Sequence, residues 1–343
     1  MLIVALCDAA ASPDDTVEDA TMIRISIIGL GLIGASLGMA LRNADPAASP
    51  LGPLEVVGFD RDARVVQAAR GRLAIDRGAS SLAEAVRDAQ MVVVATPVLA
   101  VREVFAQLGP LLPAGVVVTD VASTKAEVSR WAATLLPAGV DYVGGHPMAG
   151  KERAGVEAAD PALFNGAIYC LTVAPHVKHG AVEAVEALAR TVGAKPYYVD
   201  PEEHDAFVAG ISHLPMLLSV GLVEVTGRSP AWKEMAPLAA TGFRDVSRLA
   251  SGDPEMHRDI CLTNAQGIAR WLNDMAGFLL ELRDRIEAGD AAALEDLLRR
   301  AKAQRDTWLE SRPHLRPGEE AFLQQPEVQR PNLFTFRWPN RRE

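Results

Sequence analysis

The chain has 343 residues, 49% of them apolar, which suits about two soluble domains with cores of their own. A formal net charge of −10 argues against nucleic acid or an anionic membrane surface as the main partner. A small anionic substrate stays open, because two or three local arginines decide that.

Three scattered cysteines, Cys7, Cys170 and Cys261, show neither metal-ligand spacing nor an even-numbered framework, so no metal and a reducing cytoplasmic setting are expected. Residues 1–21 open apolar, lack a basic n-region and turn acidic at Asp14, Asp15, Glu18 and Asp19. They read as a disordered extension, with Met22 an alternative start. The first strand, Ile23 to Ile28, runs straight into Gly29-Leu30-Gly31-Leu32-Ile33-Gly34 and a helix to about Arg42. A glycine loop between strand and helix signals dinucleotide binding. Gly29 makes the tight turn, Gly31 lets a pyrophosphate approach and Gly34 lets helix pack on strand. The helix start through Leu32 and Ile33 offers amide donors and a positive dipole end.

A second strand, Leu54 to Phe59, ends in Asp60, placed to accept from the adenosine ribose and to repel a 2′-phosphate. The loop from Asn43 to Pro53 lengthens the spacing. Arg61 follows and would stack on adenine or reach a phosphate; NAD is favoured over NADP. Met91 to Ala95 is a continuous apolar strand of the parallel-sheet kind, closed by Thr96-Pro97. Val116 to Thr119 is another, and Thr124-Lys125-Ala126-Glu127 after it matches a capping box. If Thr124 caps, the Ser123 hydroxyl is free for chemistry; if Ser123 caps, its job is structural. A strand at Tyr142-Val143 then meets Gly144-Gly145 and puts His146 on a turn closed by Pro147 and Gly150. Gly29, Asp60, Thr96, Ser123 and His146 all fall at carboxyl ends of strands, where doubly wound α/β sheets hold ligands. His146 suits proton transfer near neutrality; a solvated loop histidine is the plain alternative. A strand over Ala167 to Val173, a helix over Gly180 to Val192 and a strand over Pro196 to Val199 complete this half.

The rest reads as all-helical. Asp200-Pro201-Glu202-Glu203 starts a helix whose stripe is Ile211, Leu214, Leu218 and Leu222, with His213 set within it. Arg244 and Arg248 stand four apart, on one face if helical, as a carboxylate fork or as surface ion pairs. Asp253-Pro254-Glu255 starts a helix to Ala288, on the order of 50 Å long. Its apolar face, with Trp271, Met275 and Phe278, calls for a homodimer. Gly289-Asp290 ends it, and a last helix runs from Ala291 to about Glu310. Residues 311–343 read as a flexible tail. The remaining histidines, His176, His179, His204 and His314, lie in polar segments and carry no assignment. Cys170 and Cys261 read as core.

Five ordered motifs resemble the prephenate and arogenate (cyclohexadienyl) dehydrogenases of tyrosine biosynthesis over about Met22 to Glu310. They are GLGLIGASLG from Gly29, DVASTK from Asp120, GGHPMAG from Gly144, SHLP from Ser212 and GFRDVSRLASGDPEMHRDI from Gly242. The resemblance implies a Rossmann domain (22–199), then a helical dimerisation and substrate domain (200–310). It implies NAD(P)-dependent oxidative decarboxylation of a cyclohexadienol, prephenate to 4-hydroxyphenylpyruvate; the charge and cysteines above set that in the cytoplasm with no nucleic-acid or membrane partner. His146 would accept the ring hydroxyl's proton and Ser123 would hold that hydroxyl or the imidazole in line. Arg248 would bind a substrate carboxylate, with Arg244 and His213 lining the pocket. His257 stands where many relatives carry tryptophan, so prephenate and arogenate both stay open. A tail this short is expected to hold no chorismate mutase or ACT domain. A β-hydroxyacid dehydrogenase would need a helical lysine absent from Thr263 to Gly267, and a non-enzymatic NAD sensor would need neither His146 nor Arg248.

Overall fold

A computed structural model describes residues 22–151 and 153–311; the expectations for the extension, for Cys7 and His314 and for residues 312–343 of the tail lie outside them. The first elements alternate: β1 (Ile23–Ile28), α1 (Leu32–Asn43), β2 (Leu54–Phe59), α2 (Ala63–Gly71), β3 (Arg77–Gly78), α3 (Leu82–Ala85), β4 (Met91–Val94) and α4 (Val98–Leu108). Then come β5 (Val117–Asp120), α5 (Ala126–Leu135), β6 (Asp141–Pro147), β7 (Ile168–Val173), α6 (His179–Thr191) and β8 (Lys195–Tyr198). The sheet order is β3-β2-β1-β4-β5-β6-β7-β8, parallel except where β7 runs against β6. The chain reverses its direction of travel between β1 and β4, the place where such sheets open a crevice for ligands.

The central strand β4 is wholly apolar and its neighbours β1 and β5 are largely so, because both sheet faces are covered there. Ile25, Ile27, Met91 and Val93 enter one core, with Leu37 of α1 and Val185 of α6. Ile28, Val57, Val92, Val94 and Val118 enter the other, with Phe105 of α4 and Val128 of α5. Cys170 is buried in β7, as its apolar setting suggested.

Helices follow: α7 (Pro201–Val208), a π-turn (Ala209–His213), α8 (Leu214–Gly227), α9 (Trp232–Met235) and α10 (Thr241–Ser247). A 3₁₀ turn (Arg248–Ser251) leads to α11 (Pro254–Thr263), α12 (Ala265–Glu287) and α13 (Ala291–Ser311). Both expected Asp-Pro starts are present: Asp200 accepts from Glu202 N at 2.9 Å and Asp253 from Glu255 N at 2.8 Å. The run Pro201–Gly227 is apolar and long enough by composition to cross a membrane. It nevertheless carries His204, Asp205 and His213 buried and bonded within the fold. The chain separates into two compact units, one reaching Gly277 and one beginning at Phe278.

Five local expectations need correction. His146 is not on a turn: β6 continues through Gly144 and Gly145 to Pro147, with His146 paired to Cys170. The glycine pair allows close packing instead, since a Cβ on Gly145 would lie 2.4 Å from Asp120 O and one on Gly144 2.3 Å from Thr172 Oγ1. Neither Thr124 nor Ser123 caps α5; Thr124 Oγ1 donates to Thr263 Oγ1 at 2.9 Å, and the cap comes from Asp205. The helix from Pro254 breaks at Asn264 (φ −126°, ψ 37°), whose side chain is used for bonds to other elements. The widened π-turn shifts the phase of the α7–α8 run, which leaves Ile211 72% exposed while His213 is 1% exposed. Finally, α10 ends at Ser247 and Arg248 opens the 3₁₀ turn, so the two arginines do not share one α-helix.

Candidate active site

The glycine loop is built as a dinucleotide requires. Gly29 has φ +96°, and a Cβ there would sit 2.6 Å from Ala95 O, so the turn presses β1's end against β4's. A Cβ on Gly34 would lie 2.0 Å from Gly29 O, which is the close helix-to-strand approach. Gly31 differs, because a Cβ on it would meet no protein atom within 4 Å. Packing does not demand a glycine there, and the open space leaves room for a group to approach the backbone from outside. No side chain caps α1, so the amides of Leu32 and Ile33 head an open helix start. Asp60 is locked beside the loop, accepting from Leu30 N at 2.9 Å and Asp62 N at 3.0 Å. Thr96 Oγ1 is buried without a partner among the described residues, next to Pro97 at the start of α4. Arg61 is exposed. These features fit a dinucleotide.

At the carboxyl end of β5 and β6 lies a buried polar cluster. Lys125 and Asp120, both with fully buried side chains, form an ion pair. Asp120 Oδ1 accepts from Gly145 N at 3.2 Å and from Tyr142 Oη at 2.7 Å, while Lys125 Nζ donates to Gly145 O at 2.7 Å. The residue preceding His146 is thus clamped through both its N–H and its carbonyl. His146 Nδ1 lies 2.9 Å from His204 Nε2, with the rings edge to face, and His204 Nδ1 lies 2.8 Å from Asp205 Oδ1. Asp205 also caps α5, accepting from Lys125 N at 2.7 Å and Ala126 N at 2.9 Å. Burial holds His146 well below the usual histidine range, helped by His204, Lys125 and His213, so it is neutral at physiological pH.

His213 stands in the π-turn, a helix distortion common at functional sites. Asn264 Nδ2 must donate to Asp205 O at 2.7 Å, and its second hydrogen points at His213 Nδ1, 3.2 Å away. That places the His213 proton on Nε2, which is buried with no partner among the described residues. Burial pushes its pKa down to about 4 against the pull of Asp205. His213 therefore offers a neutral donor.

His146 and His213 are joined through Asp205: its carboxylate meets His204, the partner of His146, and its carbonyl accepts from Asn264, which points at His213 Nδ1. Ser123 is half-buried in the loop after β5, and it is His204, not Ser123, that holds the imidazole. Arg248 is exposed, its turn tied to α8 by Ala250 N to Ser219 Oγ at 2.9 Å. Arg244 is exposed and paired with Asp245 at 3.3 Å. His257 is half-buried over Gly252, where a Cβ would lie 2.4 Å from its Nε2. Sequence reasoning passed over His204, Asp205, Lys125 and Asn264. The adjacent His204-Asp205 pair one turn inside a capped helix was the available signal; nothing local marked Asn264.

Residues 51–198 match the family model described as prephenate dehydrogenase, nucleotide-binding domain, and residues 200–300 the one described as prephenate dehydrogenase, dimerization domain. The prephenate dehydrogenase of Bacillus subtilis (strain 168) is 35% identical over 290 residues, 82% of this chain and 75% of that protein. The chain belongs to the prephenate dehydrogenase family. It is an NAD-dependent dehydrogenase with a Rossmann nucleotide-binding half and a helical second half. Among solved structures, Aquifex aeolicus prephenate dehydrogenase with hydroxyphenyl propionate and NAD+ is similar at TM-score 0.77 and 27% identity, covering 84% of this chain and 99% of that one. Synechocystis arogenate dehydrogenase is similar at TM-score 0.70 and 29% identity, covering 83% and 100%.

Proposed function

We propose that this chain catalyses NAD-dependent oxidative decarboxylation of prephenate to 4-hydroxyphenylpyruvate, with His146 as acceptor of the ring-hydroxyl proton. The observation that carries it is the state of His146: its Nδ1 is engaged by His204, its ring is kept neutral by burial, and Nε2 remains for substrate. The dinucleotide would be held by the Gly29, Gly31 and Gly34 backbone and the amides of Leu32 and Ile33. Asp60 would take the ribose hydroxyls, with Arg61, Thr96 and Pro97 at the rim. When bound, NAD supplies the hydride acceptor.

His146 Nε2 takes the hydroxyl proton as the carbon bearing it is oxidised. Carbon dioxide then leaves, the ring becomes aromatic, and the oxygen regains a proton. Ser123 orients that hydroxyl, and His213 Nε2–H donates to a substrate oxygen. Arg248 binds a substrate carboxylate, its guanidinium matched to a fork of two oxygens; Arg244 and His257 border the same site. The chain works as a homodimer through its helical half, without nucleic acid or membrane, in the cytoplasm. Support for the homodimer comes from the match to the dimerization model and from apolar side chains left exposed in that half, Leu238 at 82% after α9 and Leu262 at 61% on α11.

The test is appearance of reduced cofactor with purified full chain, prephenate or arogenate as substrate and NAD or NADP as oxidant. Turnover of prephenate with NAD is expected to dominate. Preference for arogenate would overturn the substrate assignment, and no reduction with either would overturn the reaction.

A further inference from the structure

His204 and Asp205 are 1% and 5% exposed and stand on the Nδ1 side of His146, the side opposite the nitrogen left for substrate. Asp205 is held by three N–H groups, those of Lys125, Ala126 and His204. A carboxylate only accepts, so the His204 proton on that side sits on Nδ1. With one proton on His204, its Nε2 is an acceptor. The hydrogen in the 2.9 Å contact then belongs to His146 Nδ1, which leaves His146 Nε2 with its lone pair bare.

Resting on the reading of His146 as proton acceptor, we propose that His204 and Asp205 are positioning residues that fix His146 in its Nδ1–H tautomer and store the substrate proton during turnover. As the substrate O–H bond breaks, its proton bonds to His146 Nε2 and its electron pair forms the carbonyl. The Nδ1 proton of His146 moves to His204 Nε2, so His146 ends neutral and the cation is His204 against Asp205. The hydride has gone to the nicotinamide. Loss of carbon dioxide returns the carbon–carbon bond pair to the ring and leaves a phenolate. The two protons then move back, His204 to His146 and His146 to the phenolate oxygen. The reaction releases no net proton, which is why a store that gives it back is needed. Charge is displaced onto a pair that already holds a compensating carboxylate, Asp205 at 2.8 Å from His204 Nδ1.

Two measurements on the full chain test this. Neutron diffraction of the wild type at neutral pH is expected to show hydrogen on Nδ1 of both His146 and His204 and none on His146 Nε2. This arm needs no turnover, so it reads separately from the substrate assignment. His204→Gln keeps an acceptor toward His146 but cannot store a proton. Its kcat is expected to fall about 10- to 100-fold, with KM for prephenate and NAD affinity held within about twofold. Its solvent isotope dependence should change from the curved form of two moving protons to the linear form of one. Hydrogen on His146 Nε2 in the wild type, or a His204→Gln enzyme with wild-type kcat and a curved dependence, would overturn the proposal. Should His204→Gln not fold, the wild-type hydrogen positions decide alone.

Discussion

The site's chemistry is set by single side chains whose protonation is forced by their surroundings. His213 lies far below the ordinary histidine value in the folded state, at about 4, because it is buried. Above the unfolded value of about 6.5 both states are neutral and the difference contributes nothing. As pH falls from there toward 4, the unfolded chain binds a proton that the folded chain refuses, so stability is lost. Replacing His213 by Leu is expected to make the loss of unfolding free energy between pH 7 and 5 smaller by about 2 kcal/mol. Urea titrations at the two pH values check it; an unchanged acid loss would place the refusal elsewhere, with His146 next. At this scale the sequence was partly legible. The type and position of His146 and His213 could be read, because a histidine beside glycines or within an apolar stripe is visible locally. The second histidine that grips His146 lies 58 residues away and could not be.

Elements meet at this site through carboxylates placed on helix starts. Asp205 of α7 caps α5, and Asp259 of α11 accepts from Leu99 N at the start of α4 at 3.2 Å. In both cases an acid from the helical half satisfies amides that a local capping residue would otherwise serve, which is why a Thr-x-x-Glu pattern after β5 misled. Asp259 is 1% exposed and also paired to Arg258 at 2.6 Å. Asp259→Ala is expected to cost about 0.5–2 kcal/mol for the cap, and more with the loss of the buried partner of Arg258. Thermal unfolding measures this, and a melting temperature equal to the wild type would show that the contact does not hold the two elements together. Strand and cap signals that depend on neighbours in sequence were legible, as at Asp200 and Asp253. The ends of β6 and the break at Asn264 were not, since tertiary bonds at Gly145 and Asp205 decide them.

For the whole molecule, alternation of strand and helix up to Tyr198 followed by helices alone could be read from periodicity and turn residues. What periodicity could not supply was where the apolar helix faces go. Trp271 at 42% exposure and Leu262 at 61% lie on helices matched by the dimerization model. Sedimentation of the full chain at micromolar concentration is expected to give a dimer, and Leu262→Glu to shift it toward monomer. A fully active monomer would remove the homodimer from the proposal.

The most direct measurement is the pH dependence of kcat for NAD reduction by prephenate, wild type beside His146→Asn. His146 works only when neutral, and its pKa lies well below the usual value, so wild-type kcat should hold through neutrality and fall only in distinctly acid solution. His146→Asn should lower kcat by about 10²–10⁴-fold, change KM little and lose that acid limb. A variant that turns over at the wild-type rate, or one that keeps the acid limb intact, would contradict the assignment of His146 as the proton acceptor.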